Sequence, residues 1–254
     1  MITISGAELD AWLAALCYPF FRIMALFSSA PLLSHASVPR PARIGLALMF
    51  TVLIAPTLPA IGEAPPMSMQ GVILLVQQVL IGLALGFSLQ IAFAAVELAG
   101  DMIGLQMSLS FASFIDPQNS TQTPLVGSFL AIVLLLVFTA MNGHLLLLAA
   151  LADSFRTLPV ATGSVRWQDA EQLFSAGSAL FAQGLQIALP VIAAMLVTNL
   201  ALGVLTRTAP QLNLLAVGFP VTLMTGLLLL LLGMPHIVSA LEGVIRGGLS
   251  LLSR

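Results

Sequence analysis

From Ala64 to Val96, and again from Pro117 to Ala152, the chain contains no Asp, Glu, Lys or Arg. Runs of that length fit few structures. A soluble domain carries about 25% charged residues; here the figure is 7%, with 59% hydrophobic residues and a mean hydropathy of +1.08. So few charges cannot cover a globule. The natural surroundings of most of this chain are lipid or other apolar protein. Its net charge of −2, with eight arginines and no lysine, offers no basic face for nucleic acid. The one cysteine, Cys17, excludes an internal disulfide and a thiolate metal cluster, and reads as a small apolar helix residue. The N-terminal stretch lacks the basic n-region of a secretory signal, since its first charges are Glu8 and Asp10.

A helical span needs about 20 mostly apolar residues. Six segments qualify: Ala11–Leu33, Arg43–Ala60, Met69 to at least Ala95, Pro124–Leu151, Ser178–Leu205 and Leu214–Gly233. The expected class is therefore all-α, one membrane-associated helical unit. Pro190 and Pro220 are expected to kink the last two helices. Asn142-Gly143 marks a helix break or cap, and Asp153–Glu171 reads as the one loop of soluble character. Orientation is not set by arginine bias. A six-span topology puts Arg156, Arg166, Arg246 and Arg254 on one side and Arg40, Arg43 and Arg207 on the other.

The third segment carries a second pattern. At 100° per residue, Gly86, Gln90, Glu97, Asp101, Gly104 and Ser108 share one narrow stripe. Such a face suits another helix or a wet cavity rather than lipid. Gly82/Gly86 and Gly100/Gly104 also permit close backbone approach. Glu97 and Asp101 fit either a proton or cation relay or a plain helix contact. Arg22, alone among the charges in standing well inside a span, is a candidate for an intramembrane ion pair with one of these acids. Asp116-Pro117 is expected to end the helix, and "QNSTQT" to form a polar turn. Between them Phe111 and Phe114, three residues apart, read from the residues alone as ordinary core packing before function. His35, His144 and His236 lie apart with no metal-ligand spacing, and no nucleotide loop or nucleophile elbow occurs. No enzyme, cofactor or metal is expected.

Four blocks carry a likeness. "SVPRPARIGLALMFTVLIAPTLP" (Ser37–Pro59), "VQQVLIGLALGFSLQIAFAAVELAGDMIGLQMSLSFASFIDP" (Val76–Pro117), "NGHLLLLAALADSFRTLPV" (Asn142–Val160) and "ALPVIAAMLVTNLALGVLTRTAPQLNLLAVGFPVTLMTG" (Ala188–Gly226) together resemble the FliR family of flagellar type III export-gate subunits. The likeness implies a FliP-like part over 1–158 followed by a FliQ-like helical hairpin over 162–254. It implies a place in the bacterial inner membrane at the flagellar basal body, in a gate standing largely above the membrane plane. The implied partners are FliP and FliQ, with FlhB, FlhA, unfolded flagellar export substrates and membrane lipid. The segment matching the family's channel plug is Ser110, Phe111, Ala112, Ser113, Phe114, Ile115, Asp116, Pro117 and Gln118, with Phe111, Phe114 and Ile115 as its apolar tip. Family members often carry glycine at the position of Ser108. The competing expectation, independent of the resemblance, is a proton-coupled small-solute transporter using Glu97 and Asp101.

Overall fold

The computed structural model describes residues 6–58, 65–109, 124–160, 167–209 and 214–252. Among them the chain is all-helical, without a strand. The helices are α1 (Gly6–Ser29), α2 (Pro31–Ser34), α3 (Arg40–Ile54), α4 (Met69–Gln106), α5 (Leu125–Ala140), α6 (Gly143–Thr157), α7 (Trp167–Thr208) and α8 (Leu214–Leu252). A single 3₁₀ turn, Ala55–Thr57, follows α3.

Several lengths depart from the expected spans. The second segment yields only the 15-residue α3. At about 1.5 Å per residue it is too short for a hydrocarbon core of about 30 Å. The fourth segment is broken: Asn142 takes a left-handed backbone (φ 56°, ψ 31°) between α5 and α6. Asparagine is among the few residues that visit that region readily, so the break falls where Asn142-Gly143 marked it. Helix α4 runs for 38 residues, and α7 and α8 are longer than expected, at 42 and 39 residues. Both α7 and α8 continue through the prolines expected to kink them, Pro190 and Pro220. Among the described residues four helices are long and apolar enough to cross a membrane, or five spans if α5 and α6 count as one broken span.

The chain forms two compact units. The first comprises 1–91, 142–177 and 248–254. In it α1 packs on α3, with Phe27 edge-on to Phe50 at 5.8 Å. Ala14, Tyr18 and Leu74 make a buried cluster to which Leu75 and Val160 add. Small residues bring α4 against α1: a Cβ at Gly82 would overlap the Arg22 carbonyl oxygen, and one at Gly86 would overlap the Ser29 hydroxyl. The second unit comprises 92–141 and 178–247. Its buried residues include Ala92, Ala95, Val96, Ala99 and Ile103 of α4 and Leu130, Leu134 and Phe138 of α5. The i, i+4, i+8 spacing on α5 lays those three side chains along one face. Phe93 meets Phe138 edge-on at 6.2 Å. Gly184 of α7 fits against α4, where a Cβ would stand 2.5 Å from the Ala95 carbonyl oxygen.

Candidate gating region and buried arginine

The polar stripe of α4 splits by environment. Gln90 and Glu97 are exposed, Asp101 is half-buried and Gly104 is buried. The inward part is a helix crossing. A Cβ at Gly100 would stand 2.5 Å from the Gly127 Cα and 2.7 Å from its nitrogen, so α4 and the first turn of α5 touch backbone to backbone. The space a side chain would need at Gly127 is taken by Asp101 Oδ1 and the Glu97 carbonyl. Asp101 Oδ1 is buried there with no hydrogen-bond partner among the described residues. Gly104 is less demanding, since a Cβ would make ordinary contact with Val126 at 3.5 Å. Among the described residues no group of three or more Asp, Glu, His or Cys is placed to hold a metal ion.

Ser108 does not belong to the helical stripe. The α-helix ends at Gln106, and Ser108 sits in the left-handed region at φ 61°. The amide of Leu109 donates to the Gly104 carbonyl and that of Ser108 to the Leu105 carbonyl, both at 3.1 Å. These paired bonds are a Schellman ending, in which the left-handed residue is usually glycine. The helix thus stops ten residues before Asp116-Pro117, the signal expected to end it. The plug residues Ser110 to Gln118, that signal included, lie outside the described residues.

Arg22 is fully buried. Its Nε donates to Gln78 Oε1 at 2.8 Å, and Nη2 donates to the same oxygen. Nη2 also donates to the Leu158 carbonyl at 2.7 Å. Nη1 donates to the Ser154 carbonyl at 2.8 Å and to the Ser154 hydroxyl at 3.2 Å. All five guanidinium protons are thereby engaged. The Phe155 ring lies beneath the cation, 4.1 Å from Cζ to the centroid. The expected ion pair is replaced by neutral acceptors. Two of them are carbonyls at the end of α6, where the helix dipole is negative; that of Ser154 also accepts the Leu158 amide at 2.9 Å. The arginine therefore ties α1 and α4 to the close of α6 without burying a carboxylate.

The surface supplies the other half of the picture. Large apolar side chains stand out on α7 and α8, including Val197 at 67%, Leu200 at 70%, Leu231 at 71% and Leu232 at 70% exposure. Surface of that kind belongs against lipid or neighbouring protein.

The chain matches the family model described as bacterial export proteins, family 1, over residues 13–247. It is 45% identical to the flagellar biosynthetic protein FliR of Escherichia coli (strain K12), over 242 residues covering 95% of this chain and 92% of the relative. The chain belongs to the FliR family. Other FliR proteins match at similar extent. That of Pectobacterium carotovorum is 44% identical, covering 93% of this chain and 90% of the relative. That of Bacillus subtilis (strain 168) is 33% identical, covering 89% and 88%. The FliR family is one of export proteins rather than enzymes, as the missing catalytic constellation led one to expect.

Proposed function

We propose that this chain is a structural subunit of the flagellar type III protein-export gate. With FliP and FliQ it forms the channel for unfolded flagellar proteins, near FlhB and FlhA, in the bacterial inner membrane at the basal body. The observation that carries this reading is a FliR-family likeness running from one end of the chain to the other. The exposed apolar faces of α7 and α8 support it, because a chain this apolar needs neighbours. On the same reading 1–158 is FliP-like, 162–254 is a FliQ-like hairpin, and Ser110–Gln118 is the plug. Phe111, Phe114 and Ile115 suit that role chemically. A few large apolar side chains exclude water and ions, yet yield to a polypeptide without demanding a fixed sequence. Shortening Phe111–Ile115 in the assembled complex is expected to make the membrane leak ions while assembly survives. An assembled complex that stayed tight would refute the plug.

The transporter reading keeps one favourable observation, the buried and unpartnered Asp101 Oδ1. Glu97→Gln with Asp101→Asn separates the two readings. A gate subunit should lose packing or gating and leave proton uptake unchanged. Loss of proton flux with normal assembly would favour the transporter.

A further inference from the structure

Gly226 of α8 is a socket for Met107. A Cβ at Gly226 would overlap Met107 Cγ, and would stand 2.7 Å from its sulfur and 2.8 Å from its terminal methyl. Met107 is fully buried, although it lies just past Gln106, the last residue of α4. Beside this knob the walls part around an apolar cavity of about 440 Å³. Leu109, Leu125 and Phe129 line one side, and Leu223, Leu227 and Met234 of α8 the other. At this level Met107, at the end of α4, is seated in a glycine notch of α8. A thioether on three rotatable bonds adapts to such a notch and also leaves it without breaking a hydrogen bond.

We propose that Met107 and Gly226 are positioning residues of the export path: the seated methionine holds the end of α4 against α8 while the gate is shut, and the contact separates when a polypeptide passes. This rests on the export-gate reading above. The test is a reversible lock. Because a Cβ at Gly226 would overlap Met107 Cγ, paired cysteines place their Cβ atoms within about 4 Å, inside the range a disulfide accepts. Met107→Cys and Gly226→Cys are combined in a chain carrying Cys17→Ser, within the whole export apparatus. Secretion of a flagellar substrate is followed under oxidant and then under reductant. The expected result is loss of secretion on oxidation, recovery on reduction, and no effect of oxidant on either single-cysteine chain. Normal secretion through a demonstrably cross-linked complex overturns the proposal. So does a pair that assembles but cannot be cross-linked, or a loss that reduction does not restore. If the pair does not assemble, Gly226→Ala alone and with Met107→Ala replaces it. Leak is expected in both, because neither seats a methionine in the notch, and an assembled complex that stays tight in either overturns the proposal. A strain lacking the chain is the parallel arm: export continuing there would sink the gate reading itself, whatever the lock does.

Discussion

Replacing Gly100 by alanine tests the crossing of α4 and α5. Carbon atoms in contact sit about 3.5–4.0 Å apart. An alanine Cβ at 100 would stand 2.5 Å from the Gly127 Cα, 2.7 Å from its nitrogen and 2.9 Å from the Val126 carbonyl carbon. All three are backbone atoms, so no rotamer relieves the overlap, and α4 and α5 must part by about 1 Å. Overpacking costs about 1–3 kcal/mol, and a rigid obstacle belongs at the upper end. Alanine's better helix propensity offsets about 1 kcal/mol. The balance is a destabilisation of about 2 kcal/mol, which lowers Tm by about 4–8 °C in a chain of this size. The internal controls are Gly45→Ala and Gly203→Ala, where nothing lies within 4 Å of the new methyl. There only the propensity gain of up to about 1 kcal/mol operates, so Tm is expected to hold or rise. Thermal unfolding of the detergent-solubilised chain reads all three. If Gly100→Ala moves with the controls, the backbone contact between α4 and α5 is wrong.

Two other substitutions are expected to act through local geometry. Ser108→Gly should stabilise by about 1 kcal/mol, because it relieves a left-handed residue at the end of α4; Ser108→Val should act in the opposite direction, and equal unfolding midpoints for the two would contradict the Schellman ending. Arg22→Gln should cost about 3 kcal/mol or more, by leaving the Gln78, Ser154 and Leu158 acceptors short of donors in a buried site. Arg22→Lys, with three donors in place of five, should fall between it and the parent, and denaturant midpoints that rank the three otherwise would remove the five-bond account.

How much of this was legible beforehand depended on whether the cause was local. The charge-free runs located α4 and α5, and two further apolar runs the final helix pair, because spanning length is a property of consecutive residues. Gly82, Gly86 and Gly100 were readable as close-approach positions, yet their partners were not. Nothing local marks Gly127 as the counterpart of Gly100, or Gly226 as the seat of Met107. Arg22 was conspicuous as a charge inside a span, but its acceptors lie 56, 132 and 136 positions away. A search for carboxylates also overlooked what a helix end and a glutamine can supply. Ser108 was placed on the stripe because periodicity assumes that the helix continues. The left-handed turn that ends it gives no periodic signal, although the glycine usual at that position in the family pointed to it. The short α3 was missed because composition does not count turns: its apolar run outlasts its helix, which gives way at Ala55 to a 3₁₀ turn containing Pro56.

The central claim is that exported polypeptide passes beside this chain. A photoreactive amino acid placed at Phe114, in cells holding a flagellar substrate stalled in the apparatus, measures that directly. The export-gate account predicts a covalent adduct between this chain and the stalled substrate, and none from the same probe at the exposed Leu200. A stalled substrate present in the assembled complex with no adduct at Phe114 would contradict it.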